Sequence, residues 1–308
     1  MSREYEWAKG WSFGPVPSVS HFGKPEPEDH MTITRSRVAA LAATSALFAM
    51  LAACGGSDAA TETSVETTVA EATETTVAHS GELPHWTYEG EEGPENWGAL
   101  APEYAACADG SAQTPIDVVG AVEADLADPE FDYAALSATV INNGHTIQAN
   151  AGDGNTVIVD GAVSPLTQIH FHSPSEHTID GVSAVAEVHF VHVNDDSVIT
   201  VVGVMIAEGA DANAAWQPYV DALTTPEGVE TPVELDWSAM LPAAHTSYRY
   251  TGSLTTPPCT EGVNWLLMSE PVSLSADQIA AFAAAHEGNN RPVQPLNGRE
   301  LELDSTNG

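Results

Sequence analysis

Gln168-Ile169-His170-Phe171-His172 and Glu187-Val188-His189-Phe190-Val191 are two short runs in which hydrogen-bonding or ionisable side chains alternate with large apolar ones. Successive side chains of an extended strand leave opposite faces, so Gln168, His170 and His172 share one face while Ile169 and Phe171 take the other. His170 and His172 are then about 7 Å apart at their Cα atoms. The second run repeats the logic with Glu187, His189 and Val191 on one face. A neighbouring antiparallel strand would bring His189 beside the first two imidazoles.

The alternation recurs, at least in part, in Leu136–Val140, Thr156–Val159, Glu187–Val193 and Val198–Met205, with Gly, Pro, Asn and Asp between the runs. Only Ala214–Leu223 and Ser275–His286 read as helices. The sequence from about His85 therefore predicts one mainly β domain, residues 84–308, with a few peripheral helices.

Upstream the texture differs. Residues 55–83 are rich in Thr, Glu and Ala, as in Thr61-Glu62-Thr63-Ser64-Val65-Glu66-Thr67-Thr68, and hold no aromatic residue. Such a tract buries too little apolar surface to fold and reads as a disordered linker. Residues 31–54 read as an export signal: Met31, Arg35 and Arg37 precede an apolar run, Val38 to Ala53, too short to span a bilayer. Its end, Leu51-Ala52-Ala53-Cys54-Gly55, resembles a lipobox, in which Cys54 would be acylated. An ordinary cleaved secretory peptide is the alternative, and both readings place the domain outside the cytoplasm. Residues 1–30 would bury this signal inside the chain and read as an extension ahead of the true start at Met31.

The formal net charge is −36, and only Arg249, Arg291 and Arg299 of the eight basic residues lie beyond position 37. Such a surface repels nucleic acid and anionic lipid headgroups, which excludes polyanionic partners and leaves the lipid as the only membrane contact. With Cys54 acylated, Cys107 and Cys259 remain as an even pair, free to form a disulfide in an oxidising compartment or to stay as two buried thiols.

Three neutral imidazoles suit zinc, and three protein ligands leave a fourth position for water, the arrangement of a catalytic rather than a structural site. Gln168 and Glu187 each lie two residues before a histidine on the same face, where a carbonyl or carboxylate can accept the second ring N–H. His-x-His alone is a weak signal, because alternating strands often place polar residues two apart.

The chain resembles the α-class carbonic anhydrases of bacterial type from about His85 to Leu303. The resemblance is carried by His85-Trp86-Thr87-Tyr88, Gly93-Pro94-Glu95-Asn96-Trp97, Gln113-Thr114-Pro115-Ile116-Asp117, Asn142-Asn143-Gly144-His145, Gln168 to His172, Ser175-Glu176-His177-Thr178, Ala186 to Asn194, Gly252 to Pro258 and Arg291 to Leu296. It implies a mainly β (α+β) fold around a large, mostly antiparallel twisted central sheet with a few short helices. It implies reversible hydration of carbon dioxide to bicarbonate by a zinc-bound hydroxide, in a monomer or dimer with one Zn2+ per chain held by His170, His172 and His189.

In that family pattern Gln168 and Glu187 orient the ligands, Thr255 is the gate hydroxyl that donates to Glu176, and His145 is the proton shuttle. Val191, Val201, Leu254 and Trp265 match the apolar wall of the substrate pocket, which Thr256 also lines. Tyr88, Asn143 and Gln148 match the wet wall. Cys107 and Cys259 occupy positions that are paired in bacterial members, and the short Ser173-Pro174-Ser175 segment after His172 is also a bacterial trait. His85, His177, His192, His245 and His286 match no catalytic position and read as structural or surface residues. Competing readings are a domain of this fold that binds a partner without catalysis, a zinc hydrolase of esters or peptides, and a zinc carrier. The complete ligand set argues against the first, the missing His-Glu-x-x-His motif against peptide hydrolysis, and the Thr255 and His145 apparatus against the third.

Overall fold

The two histidine-bearing runs pair with each other in the middle of the main sheet. The computed structural model describes residues 83–305. The segments 1–30 and 31–54, Cys54 and the tract up to position 82 lie outside the described residues. In chain order the strands are β1 Asp117–Val118, β2 Val122–Ala124, β3 Glu130–Asp132, β4 Ala135–Asn142, β5 Ile147–Ala151, β6 Thr156–Val159, β7 Ala162–His172 and β8 Thr178–Ile179. They continue with β9 Val182–Ser183, β10 Ala186–Val193, β11 Ile199–Gly209, β12 Glu230–Asp236, β13 Ser247–Ser253, β14 Glu261–Met268, β15 Val272–Ser275 and β16 Glu302–Asp304.

A 13-stranded sheet dominates, with the path β12-β4-β5-β7-β10-β11-β14-β13-β16-β2. Antiparallel pairs prevail around the histidines, and parallel pairing enters at β11 with β14 and β15 and at β16 with β2. The sheet is thus mixed, mainly antiparallel, and flanked by short helices.

The strand parity read from the sequence sorts the two faces. Ile169 and Phe171 of β7, Val188 and Phe190 of β10 and Val202, Val204 and Ile206 of β11 are buried in one core with Trp216, Tyr219 and Phe282. The last three belong to helices, or their caps, that lie on that face. At roughly 1.5–3 kcal/mol for each large apolar side chain removed from water, this layer is a main driving force for the fold.

Helix α3 spans Gln217–Ala222, shorter than the predicted Ala214–Leu223, while α4 spans Ala276–Ala285; α1 (Trp97–Leu100) and α2 (Ala106–Asp109) are single turns near the domain's N-terminus. The difference at α3 has a local cause. Asn213 Oδ1 accepts from the Ala215 amide, which favours a turn over a helical entry, and Pro218 fits only the first helical turn. At α4, Ser275 and Gln278 form a reciprocal capping box that fixes the start.

His192 lies on the face opposite His189, fully buried. Its Nδ1–H donates to the Thr200 carbonyl and its Nε2 accepts from the Tyr133 hydroxyl at 2.5 Å. Burial pulls its pKa from 6.5 down to about 4, against the backbone hydrogen bonds that favour the proton. Between those pH values the unfolded chain binds a proton that the folded chain does not, so stability is complete above pH 6.5 and is lost as pH falls towards 4. The full loss amounts to about 3 kcal/mol. Urea midpoints of wild type and His192→Gln, followed across this window, should fall more steeply for wild type; parallel curves would remove His192 as the source.

The three arginines of the domain are all engaged internally. Arg249 donates to Ser247 Oγ, the Ala127 carbonyl and Asp304 Oδ2, and Arg291 to Gln113 Oε1 and the Thr114 and Cys107 carbonyls. Arg299 donates to the carbonyls of Leu296, Thr251, Gln113 and Pro295. Each guanidinium fork is thereby spent on the chain's own acceptors, as burial requires of Arg249 and Arg291, while Arg299 is half-buried.

Candidate active site

The register of β7 and β10 sets His189 opposite His170 and Glu187 opposite His172. One ring nitrogen from each of His170, His172 and His189 falls within 4.8 Å of the others. The remaining nitrogens are held by fixed acceptors. His170 Nδ1–H donates to Gln168 Oε1 at 2.8 Å, His172 Nδ1–H to the Asn289 carbonyl at 2.6 Å, and His189 Nε2–H to Glu187 Oε1 at 2.8 Å. Each tautomer is thus set, and Nε2, Nε2 and Nδ1 face one another with their lone pairs.

Burial lowers the pKa of all three imidazoles, His172 to about 4, so they are neutral and ready to ligate at physiological pH. His172 Nε2 and Glu176 Oε2 are buried without a hydrogen bond, 3.3 Å apart. An imidazole lone pair stranded in the interior costs about 1–3 kcal/mol, and a zinc ion is the partner that this donor set fits.

Glu187 is the hub beneath the ligands. Its Oε1 accepts from His189 and from His177 Nδ1, and its Oε2 accepts from the amides of Glu176 and His177. Burial opposes its charge, yet His177 and His189 together carry its pKa well below the usual carboxylate range. His177 in turn accepts at Nε2 from the Tyr250 hydroxyl, 2.5 Å away. Gly203, opposite His189 on β11, leaves room for this carboxylate: a Cβ there would meet Leu267 Cδ1 at 2.8 Å and Glu187 Oε1 at 3.2 Å.

Glu176 is buried beside the ligands and accepts from the Arg291 amide at 2.8 Å. Burial pushes its pKa up to about 7, while His189, the Arg291 amide and the Thr255 hydroxyl favour its charged form. Thr255 is buried on the loop after β13, which the Cys107–Cys259 disulfide ties to α2.

Val201 and Trp265 are buried with Val191 and Leu254 packed against them, and the Trp265 ring lies 4.9 Å from that of His189. The structure therefore sets an apolar wall beside the ligands. Thr256 lies on the same loop and its carbonyl accepts from the Cys259 amide. On the other side Gln148 pairs with His170 across β5 and β7, and Asn143 Nδ2 donates to Gln148 Oε1 at 3.4 Å. Asn143 Oδ1 accepts from the amides of His145 and Thr146, which shapes the turn that presents His145. The His145 ring stacks flat on Trp86 at 3.8 Å, with Tyr88 6.5 Å away.

Sequence reasoning did not find Asn289 or the link from Tyr250 through His177 to Glu187. The Asn289 carbonyl carries no side-chain signature; the nearest cue was the Arg291-Pro292 motif two residues on. His177, expected to be structural, works behind the ligands rather than among them.

Three neutral imidazoles on adjacent strands, backed by a buried carboxylate and flanked by a hydroxyl and an apolar wall, form a donor set that could hold one zinc ion. The family model described as eukaryotic-type carbonic anhydrase matches residues 92–305. The carbonic anhydrase of Pectobacterium carotovorum is 44% identical over 220 residues, covering 70% of this chain and 89% of that protein. The solved α-carbonic anhydrase of Thermovibrio ammonificans, in complex with the inhibitor sulfanilamide, superposes with a TM-score of 0.68 at 43% identity, covering 71% of this chain and 98% of that one. A hyperthermostable carbonic anhydrase from a hydrothermal vent chimney gives 0.68 at 41%, covering 72% and 100%. The chain belongs to the α-type carbonic anhydrases and is a zinc lyase of that family, acting on carbon dioxide and bicarbonate.

Proposed function

We propose that this enzyme hydrates carbon dioxide at a single zinc ion held by His170, His172 and His189, with His145 as the proton shuttle. The observation that carries it is the convergence of three oriented, neutral imidazoles with the unbonded His172 Nε2 among them. Zinc, when bound, lowers the pKa of water to about 7 and supplies the nucleophile; carbonic anhydrase is itself the standard example of that effect. Gln168, Glu187 and Asn289 keep the ligands in their binding tautomers. Thr255, by donating to Glu176, keeps its own oxygen available as an acceptor and so orients the attacking group. Val191, Val201, Leu254 and Trp265 give carbon dioxide an apolar place beside it, with Thr256 at the same loop. Tyr88, Asn143 and Gln148 line the polar route to His145, an imidazole that burial, and then His85 and His286, make readier to give up a proton.

Stopped-flow hydration should be fast in the zinc-loaded protein, fall to the buffer rate after chelation and return with zinc. Folded, zinc-replete protein that hydrates no faster than buffer would sink the reading.

We further propose export, with residues 31–54 as a lipoprotein signal, Cys54 acylated, and residues 55–83 as a tether. The Cys107–Cys259 disulfide supports an oxidising compartment. Growth with labelled fatty acid should mark the protein and leave Cys54→Ser unlabelled; equal labelling of both would overturn the anchor.

A further inference from the structure

A pocket of about 160 Å3 beside Asn289 is lined by three imidazoles, those of His85, His145 and His286, together with Tyr88, Glu89 and Glu287. At about 30 Å3 per molecule it holds a handful of waters. None of these histidines is a zinc ligand, and two of them have no role in the reaction as described.

Their surroundings are built for carrying protons. The His85 ring lies 5.8 Å from that of His145, and its Nδ1 lies 3.2 Å from Glu92 Oε2. On the other side, His286 Nε2 lies 3.3 Å from Asn142 Oδ1, an atom that also accepts from the Gly144 amide at 2.9 Å. Asn142 Oδ1 is therefore an acceptor, His286 carries its hydrogen on Nε2, and Nδ1 holds the lone pair that can take a proton. Burial lowers the pKa of both His145 and His286, and Glu227, bridged to Asn142 through the backbone, opposes that by favouring their protonated forms. Burial first, and then His85 and His286, make His145 easier to deprotonate. A proton on one imidazole thus weakens the hold of its neighbours.

We propose that His85 and His286 are outer proton acceptors that relieve His145. The N–H bond of the His145 imidazolium breaks, an N–H bond forms on a neutral outer imidazole through pocket water, and that imidazole then yields its proton to a base in solution. Glu92 beside His85 and Glu227 beside His286 steady the transient cations; Glu89 and Glu287 complete the charged rim. This rests on His145 being the shuttle.

The test compares zinc-loaded wild type, the His85→Gln/His286→Gln double variant, His145→Ala and the triple variant by stopped flow in dilute and in concentrated buffer. In dilute buffer the double variant should lose at least about threefold in kcat, a small part of what a full proton-transfer step contributes, with kcat/KM within twofold of wild type and kcat restored by concentrated imidazole buffer. In the His145→Ala background the two substitutions should change nothing further. If His145→Ala keeps wild-type kcat in dilute buffer, the shuttle reading itself fails. If His145→Ala is slow but the double variant matches wild type, only the outer relay fails. A parallel fall in kcat/KM, no rescue by buffer, or an equal loss with and without His145 would show a structural or independent role and overturn the proposal.

Discussion

His189→Ala should lose zinc and hydration together. His189 is the one ligand contributed by β10, and its removal leaves two imidazoles on β7 that cannot enclose an ion from both strands. The same change takes one donor from Glu187, a buried carboxylate that otherwise accepts from His189, His177 and two amides. A buried charge left one hydrogen bond short costs about 1–3 kcal/mol, so the variant should also melt earlier. Glu187→Gln keeps the shape and removes the charge. It should cost roughly 10- to 100-fold in zinc affinity or rate, the usual range for a group that orients a ligand. The His189→Ala loss should exceed that. Zinc titration in a competing chelator, run beside thermal melts, separates the two effects. A His189→Ala protein that binds zinc as tightly as wild type would remove His189 from the ligand set.

Breaking the Cys107–Cys259 bridge should give the second large effect. The bridge closes a loop with a sequence separation of 152, for which chain entropy alone gives about 5 kcal/mol. In a domain of this size that corresponds to a fall in Tm of about 10–20 °C. Position matters as much as loop length. Cys259 stands four residues after Thr255, its carbonyl accepts from Gln113 Nε2, and the Cys107 carbonyl accepts from Arg291. Arg291 also supplies the amide that holds Glu176. Reduction therefore loosens the support of both Thr255 and Glu176, and kcat should fall before the domain unfolds. Calorimetry and stopped flow with and without reductant read both; unchanged melting and unchanged rate would count against this account.

The β7 and β10 runs were legible because each has one core face and one site face, so their period of two survives in the residue types. β14 was not, because Val263, Trp265, Leu266, Leu267 and Met268 are all buried; a strand covered on both sides loses its alternation. The ligand trio followed from parity, and Gln168 and Glu187 followed as candidates from their spacing to it. Thr255 was visible only through family resemblance, since a Ser-Leu-Thr-Thr-Pro-Pro loop has no chemistry of its own. Asn289 escaped because a backbone carbonyl is common to every residue, and only the folded path of the chain brings this one to His172.

The arginines have a last consequence. Residues 83–305 contain no lysine, and Arg249, Arg291 and Arg299 spend their guanidinium groups on internal acceptors. Proteases of trypsin type need an extended, accessible basic side chain, which leaves the half-buried Arg299 as the one candidate cleavage site among the described residues. Nor does the folded domain expose a lysine amine that could trap carbon dioxide as a carbamate, so residues 83–305, which surround the site where that gas is consumed, present no lysine side chain for it to modify.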